Sequence, residues 1–119
     1  MYTIKTDAAK KRVYISFSGF LSYEEAKKCT DETIIATNQF KHGYDVITDI
    51  SQLKPTLPEV TKEIERTQAH FKNSGVRIGV RIVGQSALTG MQFKRLSGSI
   101  GYESVNVASM DEAEKLLDK

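Results

Sequence analysis

Tryptophan is missing from the 119 residues, cysteine occurs once and proline twice. A lone thiol, Cys29, closes no internal disulfide, so packing has to hold the fold, and a reducing compartment, the cytoplasm, is expected. With two prolines and eight glycines there is no low-complexity linker, and the length suits one domain over residues 1–119. No apolar run approaches the roughly 20 residues of a membrane helix. The opening Met1-Tyr2-Thr3-Ile4-Lys5 lacks the apolar stretch of a secretory signal, so no membrane is expected as a partner. Seventeen Lys and Arg against fifteen Asp and Glu leave a net +2, too little to argue for nucleic acid. Lys10-Lys11-Arg12 is the longest basic run and is expected to be a solvated hairpin tip.

Recognisable chemistry is missing as well. There is no G-x-S-x-G, H-E-x-x-H, C-x-x-C or P-loop. His42, His70 and one cysteine are too few for a structural zinc site, so no metal and no cofactor are expected. Both histidines are expected at helix ends, against the dipole. Cys29 falls on the inward stripe of the first helix, where a thiol acts as a small buried hydrophobe. Gly84 and Gly90 bracket a segment without the Lys-Ser/Thr ending of a phosphate loop, and Ser86 in it suits a helix cap. Asp45 and Asp49, on one strand, would point the same way about 13 Å apart, too far to share a proton. Asp49 alone is a candidate, because the C-terminal ends of strands are where α/β proteins gather function.

What is present is strong periodicity. Residues 2–6 and 12–18 alternate as a hairpin, and 44–50, 76–83 and 104–108 as further strands. Ser22 with Glu25, Thr56 with Glu59, and Ser109 with Glu112 have the spacing of capping boxes, in which each residue satisfies a free backbone N–H of the other. They predict helices after positions 22, 56 and 109. A further helix is expected over 86–99, weakened by Gly90 and Gly98. The first helix is expected to bury Tyr23, Ala26, Cys29, Thr33, Ala36 and Phe40 and to end at Gly43. The predicted order is ββαβαβαβα: an α/β fold with a mixed five-stranded sheet, parallel after the hairpin.

Right-handed crossovers in chain order put every crossover helix on one face. The strands alternate apolar and polar, as expected if one face is packed and the other open. Tyr14, Arg77 and Arg81 would then lie on the open face, as a surface for a partner or a second copy. Solvated side chains with stems lying along the sheet are the alternative.

The segment Val46-Ile47-Thr48-Asp49-Ile50-Ser51 resembles the strand end of STAS domains, the superfamily of sulfate-transporter tails and anti-sigma-factor antagonists. Gly19-Phe20-Leu21-Ser22 with Glu25-Ala26, then Met91-Gln92-Phe93-Lys94-Arg95-Leu96, then Gly101-Tyr102, are similar to stand-alone STAS-like bacterial proteins. The resemblance implies a STAS-like fold and a non-enzymatic, regulatory protein-interaction module, with an unidentified protein or a second copy as partner. It directs attention to Asp49, Ser51 and Thr56, around the loop that leads to the second helix. Anti-sigma-factor antagonists carry Asp-Ser-Ser/Thr-Gly there as a phosphorylation switch. This chain has Lys54-Pro55-Thr56-Leu57-Pro58-Glu59 instead, so a phosphoswitch is not expected. Thr56 is the nearest hydroxyl and the only candidate phosphoacceptor. A sensor for a small apolar molecule or an anion is the second expectation. An enzyme acting through Asp49 and Arg81 is the third.

Overall fold

The computed structural model describes residues 1–40, 43–83 and 104–118. Strands β1 (Tyr2–Asp7) and β2 (Arg12–Gly19) form the expected antiparallel hairpin. Helix α1 (Tyr23–Thr37) leads to β3 (Tyr44–Leu53), and α2 (Pro58–Asn73) leads to β4 (Val76–Ile82). Then come β5 (Ser104–Val107) and α3 (Met110–Leu117). The five strands lie in chain order and are parallel from β2 onward, as expected. The helix expected over 86–99 and its cap Ser86 lie outside the described residues, as do His42, the motif 91–96 and Gly101-Tyr102.

The caps explain where the helices begin. Ser22 accepts a hydrogen bond from the Glu25 amide at 3.2 Å, and Glu25 accepts one from the Ser22 amide at 3.5 Å. Ser109 accepts from the Glu112 amide at 3.3 Å, while Glu112 reaches back to the Ala108 amide rather than to that of Ser109. The expected Thr56 cap does not form. The residue before α2 is Leu57, with no side-chain bond to the helix, and Thr56 stands one residue further out with its hydroxyl 3.1 Å from that of Thr61. Pro58 at the first helical position fixes φ and needs no donor of its own, which shifts the start past Thr56. Helix α1 stops at Asn38, short of Gly43, and Tyr23 stays 40% exposed.

Between α1, α2 and the sheet lies the main core. It holds Val13, Ile15, Phe17, Leu21, Val46, Ile50, Val60, Ile64 and Phe71. The helix–helix seam within it is polar. The Thr30 and Thr67 hydroxyls meet at 2.8 Å, and Thr37 meets His70 Nε2 at 2.7 Å. His70 therefore bonds across to α1, beyond the dipole contact expected of it.

The opposite face is not open. Ile47, Val80 and Ile82 pack beneath Ala113 and Leu117 of α3, with Tyr14, Ile78 and Val107 beside them. The alternation in β4 records two different packed faces rather than one packed and one wet. The parallel register sets Ile15, Thr48 and Arg81 in one row, and Tyr14, Ile47 and Val80 in the next, facing the other way. Arg81 thus lies under α1 and α2, only 3% exposed, and does not share a surface with Tyr14.

Candidate functional site

The strand ends β2 and β3 deliver the chain into α1 and α2 side by side. Gly19 takes a φ of +67°, open to glycine at no steric cost, and its carbonyl accepts from the Lys54 amide at 3.0 Å. This turn drives Leu21 into the core, 1% exposed, and leaves Phe20 outside, 57% exposed. Leu57, the residue at the N-cap position of α2 before Pro58, is 47% exposed. With Tyr23 they form an exposed apolar cluster, and clusters of this kind mark contact sites more often than isolated apolar residues do. They frame a groove of about 420 Å³ that also includes Ser22, Glu24 and Glu59. A second groove adjoins it through Tyr23 and Glu59 and continues to Lys62 and Arg66. Arg66 is committed to Glu63 at 2.8 Å and Asp31 at 2.9 Å.

The residues expected to act together are divided among four places. Asp49 Oδ1 accepts from the Ser51 amide at 2.9 Å and the Ser51 hydroxyl at 2.6 Å, a local turn that uses the carboxylate structurally. Thr56 is half-buried beside Thr61, next to the groove in sequence. Tyr14 and Arg77 belong to the α3 side. Arg81 lines an internal cavity of about 30 Å³ with Thr48, Cys29, Thr67 and Gln68, room for about two waters and no metabolite. Burial pushes the Cys29 thiol up to about 12, which keeps it protonated and unreactive. Among the described residues no cluster of His, Cys, Asp or Glu could hold a metal ion.

Sequence reasoning missed Phe20, Tyr23 and Leu57. Tyr23 and Leu57 fit the apolar stripes of their helices, and only the Leu57-Pro58 pair hinted that the residue before the helix would be pushed outward. It also missed Arg12, expected at a solvated tip and found 3% exposed. Its guanidinium donates to Glu114 of α3 and to Asp118 just after it, both at 3.0 Å. The Tyr14 hydroxyl adds a 2.8 Å bond to the same Glu114 oxygen. Arg77 binds both Asp45 oxygens, at 2.9 and 2.7 Å, and reaches the Leu117 carbonyl at 3.4 Å. Partial burial alone would raise the Glu114 carboxyl, but the bonds from Tyr14 and Arg12 hold it below its ordinary range. Tyr14 and Arg77 thus fasten α3 over the sheet.

No family model and no curated protein matches the chain. Solved structures do. The phosphorylated form of the Bacillus cell fate determinant SpoIIAA superposes with a TM-score of 0.68 at 13% identity, covering 98% of this chain and 99% of that one. The protein TM1081, solved by NMR, gives 0.67 at 12% identity, covering 100% and 90%. At such identities the likeness carries the architecture, and with the chain-ordered mixed sheet it establishes that this protein has a STAS-like fold.

Proposed function

We propose that the chain is a non-enzymatic regulatory module that binds a protein partner through the end of the molecule where α1 and α2 begin. The observation that carries this reading is the exposed cluster of Phe20, Tyr23 and Leu57 around a groove. The likeness to a cell fate determinant supports a regulatory role over catalysis. In this reading Asp49 and Ser51 shape the loop after β3, and Thr56 supports it through Thr61 rather than serving as a phosphoacceptor. The partner in this reading is a protein; a net charge of +2 gives no support to a nucleic acid, and no helix among the described residues is long and apolar enough to cross a membrane. The small-molecule sensor has less support: the cavity beside Arg81, at about 30 Å³, falls far short of the roughly 300 Å³ at which ligand pockets begin, and the larger grooves lie open at the surface rather than enclosing a ligand.

Affinity capture from native lysate with quantitative mass spectrometry tests the proposal. Leu57→Asp should abolish retention of the partner while the melting temperature stays close to that of the parent. Partner retention indifferent to Leu57→Asp and Phe20→Asp would remove this surface from consideration. Phosphate found on Thr56 in protein from the native cell would restore the switch.

A further inference from the structure

The composition of the groove says what kind of partner segment it fits; the inference rests on the docking surface just proposed. The first groove is walled by Phe20, Tyr23 and Leu57, and its charged lining residues are both carboxylates, Glu24 and Glu59. Each sits in the first turn of its helix, α1 for Glu24 and α2 for Glu59. Both are exposed, and neither makes a salt bridge among the described residues. That differs from their neighbours. Glu25 is held in the Ser22 capping box, and Glu63 is held by Arg66. Of the two cations in the adjoining groove, Arg66 is already neutralised by Glu63 and Asp31, and Lys62, one turn beyond Glu59, makes no salt bridge among the described residues but leaves Glu24 and Glu59 in excess over it.

From this pattern we infer that the groove takes a protein segment in which an apolar or aromatic anchor is flanked by Lys or Arg. The anchor fills the space between Phe20, Tyr23 and Leu57, and the flanking cations meet Glu24 and Glu59. An acidic segment would meet two unpaired carboxylates at once and be rejected by like-charge repulsion. A second copy docked symmetrically on the same patch would bring Glu24 and Glu59 of both copies together, so the occupant is a different protein. Attraction between exposed charges is screened by salt, so binding weakens as ionic strength rises.

Panning the whole chain against a phage library of random dodecapeptides tests this and needs no identified partner. Counter-selection on Leu57→Asp retains only peptides that need the groove. These should be enriched at least fivefold in Lys and Arg over Asp and Glu beside a Leu, Phe or Trp anchor. Chosen synthetic peptides should lose about tenfold in affinity to the Glu24→Lys/Glu59→Lys variant, and repanning on that variant should select acidic flanks. Melting curves confirm that both variants remain folded. Groove-dependent peptides with no bias of charge, or with a bias that survives the reversal, overturn the partner chemistry and leave the docking surface standing. No peptide dependent on Leu57 overturns both. A concentration-dependent dimer broken by Leu57→Asp in sedimentation would make a second copy the occupant and overturn the inference too.

Discussion

Arg12 shows how far a single side chain can depart from its neighbourhood in sequence. It follows two exposed lysines, yet it is buried with its Nε lacking any hydrogen-bond partner among the described residues. Breaking a fully buried ion pair costs roughly 3–5 kcal/mol, and breaking an exposed one up to about 1 kcal/mol. Here the arginine is buried, but the side chains of Glu114 and Asp118 keep 28% and 52% of their exposure and can rehydrate. Arg12→Met should therefore cost about 2 kcal/mol, between those limits, measured by urea unfolding. Cys29 gives a simpler expectation. At 2% exposure and with its thiol at about 12, it should react with a disulfide reagent at pH 8 only as fast as the protein opens. Rapid reaction in the folded state would contradict the burial.

At the scale of elements, the α1–α2 seam should respond to pH through His70. Burial lowers the imidazole below its ordinary 6.5. The unfolded chain then binds a proton more readily than the folded one. Stability is at its full value above pH 6.5 and falls as pH drops through 6.5 toward the folded value, levelling below it. Thermal melts between pH 5 and 8 should show this slope, and His70→Gln should flatten it. The docking of α3 responds to acid in a lower window. Glu114 is held below its ordinary 4.5, so its contribution is intact above that pH and is lost as pH falls through the depressed value. Ala113 is fully buried against the sheet, and Ala113→Arg should release the helix. Hydrogen exchange at Leu116 and Leu117 and binding of an apolar dye should both rise. The caps at Ser22 and Ser109 were legible in sequence because capping is local chemistry at fixed spacing. The failure at Thr56 was a competition between two local signals, a hydroxyl and a nearby proline, and the ring constraint of Pro58 prevailed.

For the molecule as a whole, strand order was legible because parallel connections through helices leave few topologies. The identity of each face was not, since alternation says that the two faces differ and not what covers them. That required knowing where α3 docks, which depends on pairs such as Arg12 and Glu114, 102 positions apart. The site was the least legible, because exposure of Phe20 and Leu57 follows from the turn at Gly19 and the start at Pro58 rather than from residue type. Val46 and Ile47 are adjacent, both fully buried, and pack on opposite faces of β3. Ile47→Ala should cost roughly 2–5 kcal/mol. It should still unfold in one transition by both circular dichroism and tyrosine fluorescence, because the two layers share the same strands. Two separate transitions would mean that the α3 layer melts independently.

The ion pairs of Arg12 also impose an order of events during synthesis. The arginine emerges 102 residues before Glu114 and 106 before Asp118. At elongation speeds of about 5–20 residues per second, it waits roughly 5–20 s for its carboxylates. Throughout that interval the nascent hairpin presents Lys10, Lys11 and Arg12 as a cationic tip with only Asp7 opposite Arg12, while the Ile47 side of the growing sheet has no cover. Both are resolved together, when α3 leaves the ribosome and folds back over the strands.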